Sequence, residues 1–206
     1  MSRAIAVRTT LLAVAAFGVG AARADDTAGV PALSVAPPAA HWVERKLNYT
    51  YMGFTTKYSC DGLRDNVRQV LLALGARKKD LKIQSSGCTR ISGAPEPFPG
   101  VIARFWVLVP ATPDDVGKVG DTSLHATQWK TVNLAGLQQF RFDQGQCELL
   151  EQMKDKALPL FTSRNLLFRS SCVPHQLTLG ATQFTVDVLN PAPAPAPQAA
   201  GTAPAA

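Results

Sequence analysis

Four cysteines, Cys60, Cys88, Cys147 and Cys172, have the widest chemistry open to them in this chain of 206 residues. Cys60 lies in Tyr58-Ser59-Cys60-Asp61-Gly62-Leu63, at the start of an apolar-periodic stretch. A helix N-terminus there would lower a thiol's pKa and make it a nucleophile. An even number of cysteines in an oxidising compartment forms crosslinks instead. A redox pair takes the close C-x-x-C spacing, which does not occur here, and a cysteine-histidine nucleophile needs a positioned imidazole. The three histidines, His41, His125 and His175, are scattered. His175 follows Cys172 by three residues, a spacing compatible with shared metal ligation. Structural zinc takes four ligands, however, and oxidised cysteines supply no thiolates. A copper site would want a methionine cluster, and past the leader only Met52 and Met153 occur. Neither metal nor cofactor is expected.

The adjacent carboxylates Asp114 and Asp115 suggest general acid/base work. Thr112 as cap, Pro113 in the first helical position and two acids in the first turn are also how a short helix starts, and that is the reading adopted. G-x-S-x-G, H-E-x-x-H and a glycine-rich strand-to-helix turn are all missing, and Val116–Ser123, VGKVGDTS, lacks the spacing of a phosphate loop. No catalytic residue is assigned.

The elements that must position these groups come in two similar runs. After Cys60, the residues Leu63, Val67, Val70, Leu71 and Leu74 form one apolar helical stripe, with Asp61 in the first turn and Gly75 as a stop. RKLNYTYMGFTTKYS before it reads as a strand, LKIQSSGC after it as a short strand ending at Cys88, and VIARFWVLVP as a strongly apolar one. In the second half LQQFRFDQGQ reads as a strand before Cys147. Leu150, Met153, Ala157 and Phe161 share a helical face, with Pro159 ending or kinking that helix. RNLLFRSSC leads to Cys172, and TQFTVDVLN turns Phe184, Val186 and Val188 inward. ATQWKTVNL supplies one more strand outside the repeat.

The expected fold is therefore α+β: a mixed, mainly antiparallel sheet with two helices on one face, built from two pseudo-repeated β-α-β-β units at about 47–110 and 138–190. Its architectural relatives are ferredoxin-like. In such a unit the start of the helix and the end of the next strand meet at one edge of the layer. Cys60 is thus expected to pair with Cys88, and Cys147 with Cys172. Each bond closes a loop of roughly 25 to 30 residues, worth about 3 to 4 kcal/mol in the chain-entropy model.

YMGFTTKYSCDGLRDNVRQVLLALGARKKDLKI and the SSGC that follows resemble exported proteins of Gram-negative bacteria, from about Tyr49 to Cys88. The resemblance implies a periplasmic setting and brings no activity with it.

The ends point the same way. Residues 1–24 have a basic start (Arg3, Arg8), an apolar run from Leu11 to Ala22 and the small-residue pattern Ala22-Arg23-Ala24, the marks of a secretory signal peptide. The apolar run is shorter than the roughly 20 residues a spanning helix needs, so no transmembrane anchor is expected once the leader is removed. Residues 25–40 read as a disordered lead-in, 41–190 as a single domain, and 191–206 as a Pro/Ala-rich disordered tail. The chain carries +6; without Arg3, Arg8 and Arg23 it holds 18 basic against 15 acidic residues, or +3, too little to imply nucleic acid. The basic run Arg77, Lys78, Lys79 and Lys82 lacks interleaved aromatics and reads as a solvated turn, or else as a site for an acidic glycan or lipid headgroup.

Tyr49 and Tyr51 alternate on one strand, and Phe105, Trp106 and Trp129 lie on neighbouring ones. Packing under helices explains most of them; a helix-free sheet face lined by Tyr49, Tyr51 and Trp129, for a peptide or glycan, is the functional alternative. The favoured reading is a periplasmic or secreted, non-catalytic binding module engaging an envelope protein, a polymer or a second copy of itself. The alternatives are an enzyme with a site assembled from scattered residues, and a thiol-redox or metal-binding protein.

Overall fold

The structure, a computed structural model, describes residues 37–54, 56–89, 93–112, 123–137, 146–171 and 182–193. The elements run β1 (Ala40–Thr50), α1 (Cys60–Ala73), β2 (Lys82–Ser86), β3 (Gly100–Pro110), β4 (Thr127–Asn133), α2 (Gln146–Lys156), β5 (Ser163–Arg169) and β6 (Gln183–Pro191).

Helix α1 forms where its capping residues and apolar stripe agree. Ser59 accepts the Gly62 amide at 3.2 Å, and Asp61 pairs with Arg64 at 2.8 Å within the first turn. Leu63, Val67, Val70 and Leu71 are all buried, each contributing about 1.5–3 kcal/mol relative to exposure. Gly75 stops the helix: its φ of +100° is a left-handed conformation that costs a side-chain-bearing residue, and the amides of Gly75 and Ala76 return to Leu72 and Leu71. Helix α2 ends at Lys156, and Pro159 then sits within a 3₁₀ turn, Leu158–Leu160.

The α+β class holds, and the strands divide between two three-stranded sheets. One has the order β1-β3-β2 and the other β4-β6-β5, with every pairing antiparallel. In each, the last strand of its group runs between the other two. The ATQWKTVNL strand, expected outside the repeat, is β4, and it holds the edge position in the second sheet that β1 holds in the first. LQQFRFDQGQ, expected there instead, falls almost wholly outside the described residues. So do Asp114, Asp115, Cys172 and His175.

The two sheets are joined at one corner. Ala40 and His125 exchange backbone hydrogen bonds of 3.1 and 2.8 Å, and Thr162 Oγ1 donates to Leu108 O at 2.9 Å. The segments expected as lead-in and tail take part: Thr127 Oγ1 donates to Pro38 O, and β6 continues through Pro191, with Ala192 N donating to Ala126 O. Both helices and the inner faces of both sheets close on one core. Leu47, Phe105 and Val107 come from the first sheet, Phe184, Val186 and Val188 from the second, and Leu149, Leu150 and Met153 from α2. The inward Phe184-Val186-Val188 alternation is as the sequence predicts. A second, smaller cluster on the opposite face holds Ala40, Trp42, Leu108 and Leu189, with Trp106 and Trp129 packed against it.

Candidate functional site

The three cysteines among the described residues are crosslinked. Cys60, first residue of α1, is bonded to Cys88, two residues past β2, with Cα atoms 6.1 Å apart across 28 residues. The geometry is the predicted one, helix start against strand end. Cys147, near the start of α2, is also disulfide-bonded; Cys172 lies outside the described residues.

Tyr49 and Tyr51 are not on an open face, and here the sequence expectation is corrected. They are 3% and 2% exposed, Tyr49 on the odd-numbered side of β1 that points into the core with Leu47 and Tyr51 one residue past the strand's end. Tyr49 Oη donates to Gln152 Oε1 at 2.9 Å and Tyr51 Oη to Glu148 Oε2 at 3.1 Å, both partners on α2. Glu148 Oε2 also accepts the Phe54 amide at 2.9 Å, and the Gln152 amide group pairs with both backbone groups of Met52. Gly53 passes so close that a Cβ there would collide with Tyr51 Oη and Glu148 Oε2. Burial pushes both phenols well above the ordinary tyrosine range, and Tyr58 adds to this, as does Glu148 for Tyr51. The arrangement is a polar seam that fastens the end of β1 to α2.

Trp129 does belong to the helix-free face, and the two other tryptophans join it there. Trp42 and Trp106 lie on the even-numbered sides of β1 and β3, opposite the main core. Arg77 reaches this cluster because the loop after α1 returns along β3, where its amide donates to Trp106 O at 2.9 Å. Its guanidinium carbon lies 4.9 Å from the Trp42 ring centroid and 5.2 Å from that of Trp106. Arg164 caps Trp129 at 4.2 Å, and His125 meets the Trp42 ring edge-on at 6.2 Å. Such cation-aromatic contacts each contribute about 0.5–1 kcal/mol at exposed sites.

Beyond Trp129 the face of the second sheet is organised by Asp187 on its central strand. Asp187 accepts Thr131 Oγ1 at 2.6 Å from β4 and Asn165 Nδ2 at 2.8 Å from β5, and Arg164 Nε lies 3.6 Å away. The hydrogen bonds from Thr131 and Asn165, then the Arg164 charge, hold its carboxyl below the usual range. Asn165 adopts φ +52° at the irregularity between Arg164 and Leu167, where β5 slips its register against β6.

Along the first sheet the same face is open. The register places Lys46, Arg104 and Lys82 side by side on β1, β3 and β2, and the next row holds Asn48, Ile102 and Gln84. Arg104 is 58% exposed and Ile102 is 44% exposed. Met52, just past β1, and Phe98, just before β3, are about two-thirds exposed at 66% and 65%.

Two grooves lie on the helix side. One, about 620 Å³, is lined by Lys154, Asp155, Leu158 and Phe168 among others; the other, about 450 Å³, runs between α1 and β4. Neither brings a histidine beside a carboxylate. No group of three or more metal-ligating side chains occurs among the described residues, and no helix among them is long and apolar enough to cross a membrane.

Of the residues singled out in the sequence, the structure joins Cys60 to Cys88 and sets Trp129 among the other tryptophans. Arg164, Asp187, Asn165, Lys46 and Arg104 had no sequence signal, and Lys82 was visible only as a member of the basic run after α1, since strand register brings each set together from distant segments. Comparison with protein-family models, with curated proteins and with solved structures gives no match. Fold and site define an α+β protein with a disulfide-tied helix and an aromatic, cationic sheet face.

Proposed function

We propose that the protein is an exported, non-catalytic binding module of the periplasm, which engages an envelope protein or polymer through the helix-free face of its two sheets. The observation that carries this reading is the gathering on that face of all three tryptophans of the chain, two of them only partly buried, beside an exposed row of charged and amide side chains. Aromatic rings edged by cations, on a sheet face that neither α-helix among the described residues covers, are suited to recognition. The signal-like first 24 residues and the Cys60–Cys88 bond support export to an oxidising compartment. The common strand order of the two sheets supports an origin by duplication.

The test uses protein recovered from the periplasm, whose intact mass should begin at Asp25. Ile102→Asp alters the centre of the open face, and Asp155→Asn alters an exposed position on α2 as a control. Capture of an envelope component should fall with Ile102→Asp and persist with Asp155→Asn. Equal capture by both variants overturns the proposed face, and a retained Met1 overturns the export reading.

A further inference from the structure

We infer that the outer face of the first sheet binds a linear acidic glycan, with Lys46, Arg104 and Lys82 as its carboxylate-binding row. The inference rests on the proposed binding role and names its ligand class. The three cations are direct cross-strand partners on one face, Lys46 against Arg104 and Arg104 against Lys82. Like charges placed directly opposite each other in a sheet are destabilising. One carboxylate, Glu44, relieves the row, at 3.3 Å from Arg104. Among the described residues no acidic side chain pairs with Lys46 or Lys82. The row therefore carries excess positive charge on an open surface, and the complementary occupant is an anion.

Its geometry selects a polymer. The cations sit one strand apart, about 4.8 Å per step, so the row offers successive sites across roughly 10 Å to anions strung along an extended chain. Immediately beside it on β3, Trp106 offers a half-buried ring with Arg77 against it. On the other side Asn48 and Gln84 flank Ile102 with amides that can both donate to and accept from hydroxyls. An aromatic, a cationic and an amide row in sequence match the ring faces, carboxylates and hydroxyls of a sugar acid. A lipid headgroup would place its charge next to an inserting apolar anchor, whereas the apolar side chain beside the row, Ile102, is flanked on both neighbouring strands by the amides of Asn48 and Gln84.

Trp42 and Trp106 lie on this face and Trp129 packs against the same cluster from the second sheet, so intrinsic fluorescence reports on it. The experiment titrates the disulfide-bonded protein with polygalacturonate, with neutral dextran, and with vesicles containing phosphatidylglycerol. Polygalacturonate should change the emission at low ionic strength, and salt should reverse the change, because exposed charges are screened within about 8 Å at physiological salt. Dextran should have no effect. Combining Lys46→Gln, Arg104→Gln and Lys82→Gln should weaken binding about tenfold, the sum of three exposed charge contacts, with a thermal transition no lower than the parent's, since the like charges of the row are removed. No response to polygalacturonate, equal affinity in the triple variant, or binding to vesicles alone overturns the inference. If polygalacturonate fails while capture of an envelope component still depends on Ile102, the glycan assignment falls and the binding role stands.

Discussion

The seam between Tyr51 and Glu148 is the most direct test of how the structure is held together, because it ties residues 97 apart in sequence through one buried contact. Tyr51→Phe removes the hydroxyl and keeps the ring, which stands edge-on to Tyr58 at a centroid distance of 4.9 Å. The loss is then that of a hydrogen bond to a buried charged group, about 1.5–3 kcal/mol. With a urea dependence of roughly 2 kcal/mol per molar, that lowers the unfolding midpoint by about 1 M. Glu148→Ala should cost more, since it strips the acceptor from both Tyr51 Oη and the Phe54 amide. In the double variant the two effects should fall short of additive by about 1–2 kcal/mol, the signature of direct contact. Equilibrium urea denaturation followed by far-UV circular dichroism supplies all four corners of the cycle. A Tyr51→Phe change below about 0.5 kcal/mol, together with additive double-variant energies, would refute the seam and reopen Tyr51 as a surface residue.

Two other consequences can be measured on the same protein. Replacing Cys60 and Cys88 together by serine should lower stability by about 3–4 kcal/mol, the loop-closure value for 28 residues; non-reducing peptide mapping of the parent protein should recover Cys60 with Cys88, and a Cys60 to Cys147 link would refute the pairing. Asp187 has a folded-state pKa below its unfolded value, so its contribution is fully present above the ordinary carboxylate value of about 3.9 and is lost as pH falls through the depressed one. The stability gap between the parent and Asp187→Asn should accordingly stay constant from neutral pH to about pH 5 and close in more acid solution. A gap that widens on acidification contradicts the Thr131 and Asn165 hydrogen bonds as its cause.

What the sequence determined by itself is what short stretches decide. Asp61, the Leu63-Val67-Val70-Leu71 stripe and Gly75 specify α1 because end signals and 3.6-residue periodicity are local properties. The Phe184-Val186-Val188 alternation identifies the buried side of β6 for the same reason. The Cys60–Cys88 bond was legible because a strand-helix-strand unit returns the chain to the same edge. Period two shows that Tyr49 and Tyr51 share a side of β1, yet not whether that side meets helix or solvent; the packing of α2 decided it, and buried both. Whether the strands form one sheet or two, and that β4 pairs with β6, depends on partners more than 50 residues away. The tertiary structure alone put Lys46, Arg104 and Lys82 in one row and the three tryptophans in one cluster, because cross-strand register is a relation between segments and leaves no trace within any of them.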